Sequence, residues 1–281
     1  ENRQRWHGTL VLIGQPAEEI VAGAAAMLKD GLFTRFPKPD FALSLHDESS
    51  LAAGVVGFHA GYFRASADSV SITIYGRGGH GAVPQDTVDP IVIASRTVLA
   101  LQSIVSRENN PMDPAVITVG SIRGGTKNNI IPEEVKLELT VRTFNPQARK
   151  RLLAAIERTA KGEALTGNAP REPLVKIEPG TDVVYNNPEL TARVVATLRK
   201  VMGQQNVVEM PAKMTSEDFS QYGIAGVPSL LLHFGAVDAA KLAAARQSVG
   251  IDQLIQSWSP TFFKNGARPD FAVVAPSGLT R

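Results

Sequence analysis

The period of the apolar positions changes along the chain, and each period predicts a different element. Thr9-Leu10-Val11-Leu12-Ile13 is a short continuous apolar run that stops at Gly14-Gln15-Pro16, the pattern of a strand buried on both faces. A helix is expected from about Ile20 to Leu28, with Gly31 near its end, and Phe41-Ala42-Leu43-Ser44-Leu45 reads as a second strand. Strand, helix and strand in this order imply a right-handed parallel crossover. Sheets of this kind bind ligands beyond the carboxyl ends of their strands. The segments Gln15-Pro16-Ala17-Glu18-Glu19 and His46-Asp47-Glu48 should therefore meet at neighbouring strand ends.

From about Arg64 the pattern is different. Ser69-Val70-Ser71-Ile72-Thr73-Ile74-Tyr75 alternates with period two, and a helix is expected from Pro90 to Arg107 with Asp89 as its cap. Strands near 115–122 and 135–143, an amphipathic helix near 147–165 and a strand near 173–178 complete a β-α-β-β-α-β order, the ferredoxin-like arrangement. After Gly180 come a helix (about 188–203), a strand at 206–209, a helix starting near Ser216 and the apolar strand Ser229-Leu230-Leu231-Leu232-His233-Phe234. The expected fold is thus α/β, with residues 1–63 and 183–281 forming one domain and residues 64–182 a compact domain inserted into it.

Composition narrows the function classes more than it names one. The 281 residues, 43% hydrophobic and 20% charged, have the balance of a soluble globular protein of one or two domains. The 29 basic and 27 acidic residues are spread along the chain, which argues against a nucleic-acid partner. No apolar run approaches the roughly 18–20 residues that cross a bilayer, so no membrane association is expected. The first residues lack the apolar core of a signal peptide. With no cysteine, disulfides and thiolate metal sites are excluded, while the compartment, cytoplasmic or exported, stays open. A core strand that begins almost at once, with no initiator Met, reads as a chain whose natural N-terminal part precedes Glu1.

Several residue groups could carry chemistry. Glu18 and Glu19 are adjacent carboxylates after a buried strand, able to supply one metal ligand and one uncoordinated base, or simply to sit in solvent near a helix N-terminus. His46 could complete a metal shell with Glu19, with Asp47 and Glu48 as its supports. Gly76-Arg77-Gly78-Gly79-His80-Gly81-Ala82 is either a turn needing glycine or an anion-holding loop in which His80 donates a hydrogen bond. Gly124 to Pro132, including Asn129, is a hairpin-type loop. On the strand that follows, Val135, Leu137, Leu139 and Val141 share one face and Arg142 lies on the other, free to clamp a carboxylate or to meet solvent. Thr215-Ser216-Glu217-Asp218 has the form of a capped helix start, and His7, His59 and His233 read as structural. There is no Gly-x-Ser-x-Gly elbow for metal-free hydrolysis.

Gln15-Pro16-Ala17-Glu18-Glu19, His46, Gly78-Gly79-His80-Gly81-Ala82, Asn129-Ile130-Ile131-Pro132, Val141-Arg142-Thr143-Phe144 and Ser216-Glu217-Asp218-Phe219, in that order, resemble the M20 peptidase family. Within it they look most like the aminoacylase, N-acyl-amino-acid amidohydrolase and hippurate hydrolase branch. The resemblance implies a zinc-peptidase-like α/β catalytic domain with an inserted ferredoxin-like lid that also dimerises. It implies divalent ions, zinc or else Mn, Co or Ni, and hydrolysis of the amide of an N-acyl amino acid or dipeptide with a free carboxylate. By it Glu18 matches the general base, Glu19 and His46 match metal ligands, and His80, Asn129 and Arg142 match groups that bind the substrate carboxylate and the oxyanion. Three departures accompany the match. The family's upstream ligand segment has no counterpart, Trp258-Ser259-Pro260 stands where a His-Ser-Pro ligand motif is usual, and Gln85 and Asn128 replace frequent histidines. Tryptophan offers a metal no lone pair, so the chain is expected to bind at most one ion, and the alternative reading is an impaired homologue that dimerises and binds carboxylates without a complete metal centre.

Overall fold

The computed structural model describes residues 4, 7–248 and 271–275. The chain first forms β1 (Val11–Gly14), α1 (Gly23–Lys29), α2 (Leu32–Arg35), β2 (Phe41–Ala52), β3 (Val56–Phe58) and β4 (Gly61–Arg64). It continues through β5 (Ser66–Tyr75), β6 (Gly79–His80), α3 (Pro90–Ser103), β7 (Ala115–Gly124), β8 (Ile130–Ile131), β9 (Glu134–Thr143), α4 (Pro146–Thr166) and β10 (Leu174–Pro179). Then follow β11 (Val184–Asn186), α5 (Pro188–Met202), β12 (Val207–Glu209), α6 (Ser220–Ile224), β13 (Ser229–Val237), α7 (Ala239–Ser248) and β14 (Phe271–Ala275). Two compact units result, Glu1–Arg64 with Val184–Arg281, and Ala65–Val183. No helix among the described residues is long and apolar enough to cross a membrane.

The first unit is built on a six-stranded sheet in the order β1-β14-β2-β13-β3-β12. Successive residues of its strands feed opposite layers. Ala42 and Leu231 pack with α1 and α6 residues such as Ala24 and Tyr222, whereas Leu230 and Leu232 pack with Leu190 and Val195 of α5. Each fully buried leucine contributes roughly 1.5–3 kcal/mol, so the run Leu230-Leu231-Leu232 anchors both layers. β1 differs from its expected burial on both faces, since Leu12 is exposed while Ile13 is buried.

Two differences from the expected crossover bear on the site. β14 lies between β1 and β2 and runs antiparallel to both, so β1 and β2 are parallel but about 10 Å apart, two strand spacings instead of one. Gly14 is level with Leu45 through Phe271, and the segments beyond Gly14 and Leu45 leave at the same end of the sheet. The second difference is that β2 does not stop at Leu45. The polar stretch His46-Asp47-Glu48 stays in the strand because β13 pairs with it residue by residue, His233 opposite His46 and Gly235 opposite Glu48.

The second unit is a four-stranded antiparallel sheet, order β10-β5-β9-β7, the ferredoxin-like topology. Asp89 caps α3 through the Ile91 N–H and Asn145 caps α4 through the N–H groups of Gln147 and Ala148. Both helices bury their apolar sides against one sheet face, where Ile93, Leu101, Leu152 and Ile156 meet Ile72, Leu137, Leu139 and Val141. Arg149 of α4 clamps the buried Asp68 with Nε to Oδ2 at 2.7 Å and Nη2 to Oδ1 at 2.6 Å, and reaches Asp182 at 2.5 Å.

Candidate active site

The loop after β1 is held by a polar tie to the segment before α6. Gln15 Nε2 donates to Asp218 Oδ1 at 2.6 Å, the Ala24 N–H donates to Asp218 Oδ2 at 3.0 Å, and the Tyr222 hydroxyl donates to Gln15 Oε1 at 2.8 Å. Gly23 allows this closeness, since a Cβ there would lie 1.7 Å from the Pro16 carbonyl oxygen. Ala17 and Val21 adopt the left-handed conformation on either side of a single 3-10 turn, Glu18–Ile20. That turn replaces the start of the helix expected from Ile20, and α1 begins only at Gly23.

Glu18, Glu217 and Asp218 bring ligand-type oxygens within 4.8 Å of one another, and this is the one such group among the described residues. Glu18, half-buried, lies with two buried carboxylates. Burial first, and then Asp218 and Glu217 nearby, push the Tyr222 hydroxyl above its ordinary range. Glu217 and Asp218 are here because the segment from Thr215 is not a capped helix start. The helix begins at Ser220 with no side-chain cap, Asp218 is spent on the tie to Gln15 and Ala24, and Thr215 accepts from Arg64.

Glu19 and His46 do not join that cluster. The expectation that Glu18, Glu19 and His46 would converge on one point presumed adjacent strands, and β14 separates them. His46 nevertheless has the form of a ligand. Its Nδ1 lies 2.6 Å from the Asp47 carbonyl oxygen, which can only accept, so Nδ1 carries the proton and Nε2 the free lone pair. A carbonyl-anchored imidazole of this tautomer is the usual arrangement at a metal. The donors near these strand ends are carboxylates and one imidazole, with no thiolate in the chain, and such a set fits a divalent cation.

Beneath His46 lies a network that reading the sequence did not disclose. His233 is fully buried, Arg64 is 3% and Glu48 6% exposed. His233 Nδ1 is 2.8 Å from Glu48 Oε2, and Arg64 Nη2 is 2.8 Å from His233 Nε2. A guanidinium donates only, so Nε2 accepts and Nδ1–H donates to the carboxylate; the ring is neutral. Burial, the largest cause, pushes His233 down to about 4, with Arg64 and His46 adding to the effect and Glu48 opposing it. Burial alone would raise Glu48, but hydrogen bonds from His233, Lys213 and Ser50 outweigh it and hold the carboxyl well below its usual range. His59, also read as structural, meets the Met210 carbonyl through Nδ1 at 2.7 Å.

In the second unit β6 and β8 form a two-residue ladder that sets His80 opposite Ile130, and the Gly81 N–H donates to the Asn129 carbonyl at 2.8 Å. The Ala82 N–H donates to His80 Nδ1 at 3.1 Å, which leaves Nε2–H of the neutral ring as a donor. Arg142 lies on β9 opposite the core-facing Val141, half-buried, and that burial lowers its pKa. Trp258 lies outside the described residues, as do Ser259 and Pro260.

Residues 64–168 match the peptidase dimerisation domain of the M20 family. The chain is 35% identical over 239 residues to an N-acetyl-L-cysteine deacetylase of Bacillus subtilis, covering 84% of this chain and 55% of that protein. It is 37% identical to the IAA-amino acid hydrolase ILR1-like 2 of Arabidopsis thaliana (79% of this chain, 50% of that one) and 32% identical to an N-acetyldiaminopimelate deacetylase of Leuconostoc citreum (89% and 64%). It therefore spans between half and about two-thirds of the length of these relatives. Among solved structures, a dinuclear metal-binding peptidase of the M20 family from Bacillus subtilis superposes with a TM-score of 0.63 at 26% identity, over 83% of this chain and 61% of that one. A Staphylococcus aureus protein described as an aminohydrolase superposes with a TM-score of 0.71 at 30% identity, over 79% and 57%.

Proposed function

The chain belongs to the M20 peptidase family, and from that premise we propose that it hydrolyses the amide bond of an N-acyl amino acid, or of a small peptide with a free carboxylate. The observation that carries the reading is the state of His46, whose Nδ1–H is engaged by the Asp47 carbonyl so that Nε2 is the donor offered to a metal. Glu19 and His46 would hold the divalent ion, which when bound supplies a Lewis acid that polarises the scissile carbonyl. Glu18 takes a proton from the attacking water and returns it to the leaving amine. Glu217 and Asp218 lie beside Glu18.

On the family resemblance, His80, through Nε2–H, and Asn129 stabilise the oxyanion and Arg142 binds the substrate carboxylate. Half-burial disfavours the Arg142 cation, and a bound carboxylate offsets that cost. The second unit also pairs with its copy in a homodimer. β7 is an edge of its sheet, and the groove of about 410 Å³ between Leu99 of α3 and Val119 and Ile122 of β7 is apolar, with Leu99 and Ile122 exposed.

The test is amine release from a panel of N-acetyl amino acids by the zinc- or manganese-supplied protein, alongside Glu18→Gln and Glu19→Gln. Glu18→Gln should remove most turnover and leave bound metal nearly unchanged, whereas Glu19→Gln should lose both. Equal metal loss in the two variants contradicts this division of roles. Absence of turnover in the wild type, with metal unbound, favours the second reading, a carboxylate-binding homologue without hydrolytic activity, to which Trp258 in place of the usual ligand points.

A further inference from the structure

We propose that His233, locked between Glu48 and Arg64, is a positioning residue that fixes the imidazole of His46. The inference deepens the reading of His46 as a metal ligand and rests on it, but it can be tested apart from it.

The two rings occupy register-paired positions on adjacent parallel strands, His46 on β2 and His233 on β13. Their centroids are 5.3 Å apart with planes inclined by 26°. Phe63 packs on His233 as well, at 4.7 Å and 50°. A buried ring hydrogen-bonded through one nitrogen can still rock about that bond. His233 is bonded through both, to a carboxylate at Nδ1 and a guanidinium at Nε2, and each partner has a single possible role, so the ring can neither turn over nor exchange its tautomer. Glu48 is itself fixed by Ser50 Oγ at 2.6 Å, the Ser50 N–H at 3.1 Å and Lys213. Arg64 is further fixed by Thr215. His46 therefore rests on a rigid face, with Nδ1 tied to its own strand, and only Nε2 is left to bind.

A stabilising role alone does not account for this arrangement. Two ionised side chains, Glu48 and Arg64, and an imidazole beneath a sheet end are costly to bury, and apolar residues of similar volume are often as stable or more so. A geometric return, the fixed orientation of a neighbouring ring, is a reason to bear that cost.

His233→Gln tests the proposal. The Gln amide can donate to Glu48 and its carbonyl can accept from Arg64, so the network and the fold are retained while the ring face is lost. Long-range ¹H–¹⁵N NMR of the imidazoles reports the tautomer of His46. In the wild-type protein it should show a single Nδ1–H form, and in His233→Gln a mixture of both tautomers, with Tm little changed. Zinc affinity, measured by competition with a chelating dye, should fall about tenfold in the variant. An unchanged His46 pattern in His233→Gln overturns the proposal, as does a tautomer mixture already present in the wild type. Should His233→Gln fail to fold, Glu48→Gln, which weakens the hold on the His233 Nδ1–H, should likewise give a mixture of His46 tautomers, and an unchanged His46 pattern there overturns the proposal. A wild-type protein that binds no zinc counts against the proposed hydrolase and leaves the NMR comparison to judge the positioning role.

Discussion

Acidification should destabilise the protein through His233, and His233→Gln should remove that sensitivity. The buried imidazole titrates at about 4 against an ordinary value of 6.5, so between those values the unfolded chain binds a proton that the folded chain refuses. Because the folded value is the depressed one, the contribution is intact above pH 6.5 and falls as the pH drops towards 4, by about 2 kcal/mol at pH 5 and about 3 kcal/mol at pH 4. Glu48 adds a separate loss. Its folded value lies well below the usual 4.5, so its contribution is present above about pH 4.5 and disappears only at more acid pH. The interval from pH 7.5 to pH 5 therefore isolates His233. Urea unfolding followed by circular dichroism should give a wild-type stability lower at pH 5 by about 2 kcal/mol relative to His233→Gln, each referred to its own value at pH 7.5. A variant that loses as much as the wild type over this interval would refute the assignment of a buried, neutral imidazole.

Other perturbations test other parts of the structure. Arg149→Met should destabilise the second unit by about 3–5 kcal/mol, because it strands the buried Asp68 carboxylate; thermal unfolding of the variant measures this. Gly23→Ala places a Cβ where the Pro16 carbonyl stands and should displace the Glu18 loop, lowering both Tm and turnover, whereas the same change at the open Gly162 inside α4 should leave turnover unchanged and raise Tm slightly. Leu99→Asp, at the exposed rim of the α3–β7 groove, should convert a homodimer to monomer in light scattering without altering the Tm of the isolated subunit, and a monomeric wild type would remove the dimer altogether.

The second unit was largely legible in advance because each of its signals is local. Period two in Ser69–Tyr75 and in Val135–Val141 gives the strands and their core faces, Asp89-Pro90 starts the first helix, and the βαββαβ order then allows few sheet arrangements. The observed strands, β5 from Ser66 to Tyr75 and β9 from Glu134 to Thr143, extend the apolar cores by only a few residues. The first unit was less legible where distant segments decide local structure. His46-Asp47-Glu48 looks like a loop on its own polarity and becomes a strand through β13. The neighbours of β1 cannot be inferred from the crossover, because the strand that separates it from β2 comes from residues 271–275.

The site divides along the same line. Glu18, Glu19 and His46 could be picked out as chemistry-bearing groups, since each follows an apolar run, but their partners could not. Glu217 and Asp218 resemble helix-start residues because acidic side chains after Thr-Ser serve that purpose in most chains, and only the tie from Asp218 to Gln15, across 203 positions, diverts them. His233 carried a readable clue. A titratable ring inside Leu230-Leu231-Leu232-His233-Phe234 must be satisfied if that strand is buried, since an unpaired polar group there costs about 1–3 kcal/mol. The run therefore announces that partners exist. It does not say which, because Glu48 and Arg64 are two charges among many, and what selects them is the register of β13 on β2 together with the position of β4, neither of which is encoded in any one segment.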